Sequence, residues 1–284
     1  MSTILACTDG SQYSASVYQH AAWVAKQSGA AIHVLHVIER DEARPAADLS
    51  GNLGFDASAE LMEELVDLDE AHARVARLRG KAVLEDAVRQ LKEESESLEV
   101  ITTQRHGSLV ETLDEFENNA DLVIVGKRGE HVEQAKGHLG SNLERVVRSA
   151  KIPVMVASRA FQPIENFMIA FDGGASSLKA VHFAATQPLL KGVKAHLLAI
   201  GKPGSNLELE LGHAATGLRG AGFEVHADLM SGDADELISR EAEKLGIDLV
   251  MMGAYGHSMI RRFIIGSTTT TLVRTCKVPV LLFR

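Results

Sequence analysis

The residues best suited to chemistry lie in Gly253-Ala-Tyr-Gly256-His-Ser-Met-Ile-Arg-Arg-Phe-Ile-Ile-Gly266-Ser267-Thr268-Thr269-Thr270. Glycines at 253, 256 and 266 let the backbone approach a ligand closely, and a helix expected from Thr268 to Thr275 would aim its unpaired N–H groups and positive dipole end at an anion. Ser267 and the threonines add hydroxyl donors. The combination suits phosphate, although a turn leading into an N-capped helix uses the same residue types. Asp172, expected to end a strand, can accept hydrogen bonds from an adenine amine or a ribose hydroxyl, and Asp before glycine also makes ordinary turns. Ligands of open α/β sheets sit beyond the carboxyl ends of strands where the winding reverses. If the strands ending at Asp172 and Gly253 are neighbours, they flank one such crevice.

The elements that must position these residues occur twice. Ile4-Leu-Ala-Cys-Thr-Asp9-Gly10 matches Met168-Ile-Ala-Phe-Asp172-Gly173, and Asp121-Leu-Val-Ile-Val-Gly126 matches Asp248-Leu-Val-Met-Met-Gly253. Gly140-Ser141 matches Gly266-Ser267, and Lys151-Ile-Pro153 matches Lys277-Val-Pro279. The offset is 163 residues at the aspartates, 127 at the first glycines and 126 at the later ones. The first copy is therefore about 36 residues longer upstream and one residue longer in its glycine loop. The excess falls at about 40–99, where Leu61, Leu65, Leu68, Val75, Leu78, Leu84, Val88 and Leu91 recur at helical spacing, so an enlarged helical crossover is expected there. The charged end, Lys92 to Glu99, reads as a solvated helix terminus.

Short apolar runs alternate with amphipathic stretches in both copies, the pattern of parallel strands joined by helices. The second copy has runs at 167–171, 195–200, 224–230, 249–252 and 278–283. A helix is expected over Ser14–Gln27, stopped at Gly29. The expectation is two α/β domains, 1–160 and 165–284, with a short linker containing Pro163.

Composition narrows the class. The 284 residues are 45% hydrophobic and 24% charged, a globular balance that excludes fibrous and disordered chains. A net charge of -9 argues against broad attraction to nucleic acid or anionic lipid. No apolar stretch suits a bilayer, two cysteines suggest a reducing compartment, and the first residues do not read as a signal peptide, so a cytoplasmic protein is expected.

The G-x2-G-x9-G-S spacing, the first strand ending in Asp and the closing Pro-Val-Leu strand resemble the universal stress protein (UspA-like) family, in its tandem two-domain form. The resemblance spans nearly the whole chain. It implies Rossmann-like, adenine nucleotide alpha hydrolase-like open parallel sheets of strand order 3-2-1-4-5, paired through their last strands. It implies ATP or a related adenine nucleotide as ligand, with Mg²⁺ a reasonable companion of a triphosphate. It places Asp172 and Ile200 near adenine and ribose, Gly253 near ribose, Ala170 in the crevice, and Gly256, Gly266, Ser267 and Thr268 around the phosphates. In the first copy the corresponding positions are Asp9, Val37, Gly126, Gly129, Gly140 and Ser141. There ten residues instead of nine separate Gly129 from Gly140, so the second domain is the expected binder. Lys127, Arg128 and Lys136 are alternative phosphate partners or solvated cations.

A stress-response role with nucleotide binding follows as the expectation, and a homodimer is left open. The alternatives are a slow ATPase or autophosphorylating protein with Ser267 or a nearby threonine as acceptor, and an interaction scaffold with a degenerate or different ligand site. No G-x4-G-K-[ST], G-x-G-x-x-G, G-x-S-x-G or H-E-x-x-H occurs, and no catalytic residue is assigned. His33 and His36 are expected to share a strand face, with His106, His131 and His138 near strand ends. Without a Cys or carboxylate pattern they are weak support for zinc, and no metal ligand is assigned. Cys7 and Cys276 read as small buried hydrophobes.

Overall fold

The structure, a computed structural model, describes residues 1–39, 55–127, 141–254 and 267–284. In the first half the strands are β1 (Thr3–Thr8), β2 (Ala31–Ile38), β3 (Val100–His106), β4 (Leu122–Gly126) and β5 (Val154–Ala157). The helices are α1 (Ser14–Ser28), α2 (Phe55–Glu94), α3 (Leu109–Phe116) and α4 (Ser141–Ser149). The second half repeats the order with β6 (Asn166–Phe171), β7 (Lys194–Ile200), β8 (Val225–Met230), β9 (Leu249–Gly253) and β10 (Val280–Phe283). Its helices are α5 (Ala175–Thr186), α6 (Asn206–Gly220), α7 (Ala234–Lys244) and α8 (Ser267–Thr275).

The ten strands among the described residues form one sheet in the order β3-β2-β1-β4-β5-β10-β9-β6-β7-β8. Each half thus has the order 3-2-1-4-5, with its strands parallel, and β5 meets β10 antiparallel through Met155 opposite Leu281. Alternation along the strands feeds two cores. Ile4, Ala6, Leu249 and Met251 face α1, α2, α5 and α6, while Leu5, Cys7, Val250 and Met252 face α3, α4, α7 and α8. Helices on both faces explain why β4, β5, β9 and β10 carry no polar side chain.

The amino ends of the matched strands are tied alike. The Asp248 carboxylate, just before β9, accepts from the Glu165 and Asn166 N–H groups at 3.0 Å each. Asp121, just before β4, takes the equivalent bonds from Ser2 and Thr3. The repeated Asp-Leu-Val therefore holds the fourth strand of each half to the first.

The long crossover is a single 40-residue helix, α2. The expected helix over Ser14–Gln27 runs one residue further and is closed by Gly29 at φ 72°, a left-handed conformation that glycine adopts readily. His106 ends β3 as expected, but the expectation that His33 and His36 share a face fails. His33 and His36 are three apart, so on a strand of period two they point to opposite faces. His33 bonds Thr103 at 2.8 Å and packs edge-on against Phe116, whereas the His36 ring meets the Thr8 carbonyl at 2.9 Å on the α2 side. Among the described residues no group of three metal-ligating side chains forms. His131 and His138 lie outside them.

Candidate functional site

The winding reverses between β6 and β9, which pair in parallel with Ala170 opposite Met252. Asp172 follows the end of β6 and Gly253 ends β9, so the two residues flank a single crevice at the carboxyl edge. Ala170 and the last residue of β7, Ile200, are half-buried and pack on the side covered by α7 and α8. They give the crevice an apolar floor. The amino end of α8 belongs to the same side. Its Thr269 hydroxyl is buried and donates to the Gly253 carbonyl at 3.1 Å, tying the helix start to the strand end. Thr268, one residue earlier, is half-buried. Ser267 opens α8, and its side chain, with Gly256 and Gly266, lies outside the described residues.

Asp172 also does turn chemistry. Its Oδ1 accepts from the Gly174 N–H at 2.9 Å and the Ser177 hydroxyl at 2.6 Å, which bends the chain from β6 into α5. Gly173 within that bend has φ 73°, and a Cβ there would lie 2.2 Å from a Glu210 carboxylate oxygen of α6. The positive φ favours glycine there, whereas the Glu210 carboxylate ends a flexible side chain that can move aside. Asp9 repeats the arrangement, accepting from the Ser11 N–H at 2.9 Å and the Ser14 hydroxyl at 3.2 Å.

The first half assembles the corresponding crevice from Asp9, Val37 and Gly126, with Gly129 and Gly140 outside the described residues and the Ser141 side chain likewise. In register with Ala170 stands Cys7, 8% exposed, and burial pushes its thiol up to about 12. Burial also raises the Cys276 thiol, so neither is primed as a thiolate. Glu39, two residues past Val37, accepts from the Asn142 amide at 3.0 Å, setting a carboxylate beside the start of α4. The position matching Glu39 in the second half is Lys202. The match follows from the same 163-residue offset that pairs Val37 with Ile200; what the offset does not reveal is that Glu39 reaches Asn142 at the start of α4. Lys127 reaches into the second half. Its ammonium donates to the Cys276 carbonyl at 2.7 Å, just past α8, and links the halves. Arg128 and Lys136 lie outside the described residues.

The universal stress protein family model matches residues 1–158 and 201–284. The chain belongs to the universal stress protein family. It is 39% identical over its whole length to the universal stress protein Slr1230 of Synechocystis sp., whose whole length is also covered. A universal stress protein from Archaeoglobus fulgidus superposes with a TM-score of 0.76 at 20% identity, covering 99% of this chain and 98% of that one. A functionally unknown protein from Pseudomonas aeruginosa gives 0.61 at 19% identity, covering 99% and 92%. These structural likenesses concern the fold. Among the described residues no helix of this universal stress protein is long and apolar enough to cross a membrane.

Proposed function

We propose that this universal stress protein binds ATP or a related adenine nucleotide in its second domain, and that occupancy serves a stress-response role. The observation that carries the reading is the reversal point between β6 and β9, where Asp172, Gly253 and the tethered start of α8 converge. Ala170 and Ile200 would receive the flat base, the Asp172 carboxylate a hydroxyl or amine, and the glycine-rich segment with Thr268 the phosphates. The domains are 1–160 and 165–284. Glu39 beside the start of α4 opposes an anion in the first domain, while Lys202 favours one in the second.

Titration calorimetry with ATP tests this. Wild-type chain is expected to bind one nucleotide, Gly266→Asp to abolish binding in a folded protein, and Gly140→Asp to leave the stoichiometry unchanged. Unaltered affinity in folded Gly266→Asp would overturn the assignment. The Thr269 hydroxyl is held by the Gly253 carbonyl, which disfavours it, among the threonines of α8, as a phosphoryl acceptor.

A further inference from the structure

We propose that the exposed part of α2 between Glu64 and Lys81 is a self-association surface, on which a second copy of this chain pairs in antiparallel fashion. At 1.5 Å per residue the 40-residue helix is about 60 Å long, far more than the sheet needs for cover. Gly80 marks where α2 meets the sheet. It is buried, and a Cβ there would lie 2.7 Å from atoms of both His36 on β2 and Gln104 on β3. Downstream of it, Leu84, Ala87 and Leu91 are buried in the core. Upstream, no residue from Glu64 to Arg79 is buried.

Two independent patterns in this stretch point to the same occupant. Leu68, Val75 and Leu78 are 48%, 61% and 63% exposed, and with Ala71 they follow the 3-4-3 spacing of a helix-pairing seam. The seam does not continue the core face. Val75 and Leu84 are nine residues apart, about two and a half turns, and so point in opposite directions. Charge is also segregated along the axis. Residues 64–70 contain Glu64, Asp67, Asp69 and Glu70 with no base, and residues 74–81 contain Arg74, Arg77, Arg79 and Lys81 with no acid.

A two-fold axis near Ala71 to Ala73 sets the acidic part of one helix against the basic part of the other and brings the seams together. A parallel pair would oppose like charges instead. Such self-complementarity is what an isologous interface requires, and an unrelated partner would not account for it. The four carboxylates cancel the four bases, so the stretch has no net charge to draw it to anionic lipid.

Sedimentation velocity on the full chain over a wide concentration range, at low and high salt, tests the proposal. A reversible dimer that weakens with salt is expected. Leu68→Glu with Leu78→Glu should weaken it on the order of 100-fold, and both sites are exposed enough for the fold to persist. Two charge variants give a second readout. One carries Glu64→Lys, Asp67→Lys, Asp69→Lys and Glu70→Lys; the other carries Arg74→Glu, Arg77→Glu, Arg79→Glu and Lys81→Glu. Each should be monomeric alone, and their mixture should form a one-to-one heterodimer. A monomeric wild type, a dimer indifferent to the leucine changes, a mixture that stays monomeric, or binding to anionic vesicles in place of self-association would overturn it. Nucleotide affinity is measured separately, so the outcome is independent of the crevice assignment.

Discussion

Asp172 is both a site candidate and a turn residue, and its neighbours allow the two roles to be separated. The Ser177 hydroxyl bonds the carboxylate at 2.6 Å, and Ser177→Ala removes that bond while leaving the carboxylate in place. A loss of about 1 kcal/mol in urea unfolding with ATP affinity nearly intact is expected, against loss of both stability and affinity for Asp172→Ala. Equal affinities in the two variants would reduce Asp172 to a turn residue. His20 sets a pH dependence. It is fully buried, its Nδ1 lies 2.6 Å from the Ser16 carbonyl, and burial holds its imidazole below the ordinary histidine value. A depressed value means that the unfolded chain takes up the proton first, so stability is full above about pH 6.5 and is lost as pH falls through the lower folded value. Thermal melts from pH 7 to 5 should show this decline, and His20→Gln should flatten it. The sequence marks neither point, because Asp before glycine serves both purposes and α1 alone does not reveal that Ser158, beyond β5, packs against His20.

At the scale of elements, the helix α2 shows the limit of periodic reading. Leu68, Val75 and Leu78 recur with Leu84 and Leu91 at helical spacing, which indicates the helix but not which of its faces is covered. Over this length a 3.6-residue period and a slightly shorter hydrophobic repeat diverge, and the structure separates an exposed seam from the core face. Gly80 stands at the boundary. Gly80→Val should push the helix off β2 and β3 and lower stability by about 1–3 kcal/mol, measured by urea unfolding. An unchanged midpoint would show that the helix accommodates a side chain there. By contrast α1, its Gly29 stop and all five strands of the second half were legible, since caps and short apolar runs are local signals.

In the whole molecule, the two halves share one sheet. Met155 and Leu281 face each other across β5 and β10 and are both fully buried, Lys127 reaches the Cys276 carbonyl, and Arg284 donates to the Arg148 carbonyl at 2.8 Å. Such an interface is expected to couple their unfolding. The single tryptophan, Trp23, sits on α1 and reports on the first half. Leu281→Ala in the second half should destabilise the chain by about 2–5 kcal/mol and shift the Trp23 fluorescence transition in urea. If hydrogen exchange shows the second half weakened while the Trp23 transition stays fixed, the halves unfold independently.

The repeated strand ends, the glycine spacing and the unequal copies determined the family and the fold class, because each is written in residues close together in the chain, whereas the shared crevice of Asp172 and Gly253 waited on the pairing of β6 with β9. The tertiary structure alone decided what depends on residues far apart. Folding brings Glu39 to Asn142 and Lys127 to the Cys276 carbonyl, and the reach of the sheet determines which leucines of α2 meet the core and which face water. Burial is a property of neighbours, and neighbours separated by dozens of residues are chosen only when the sheet is assembled.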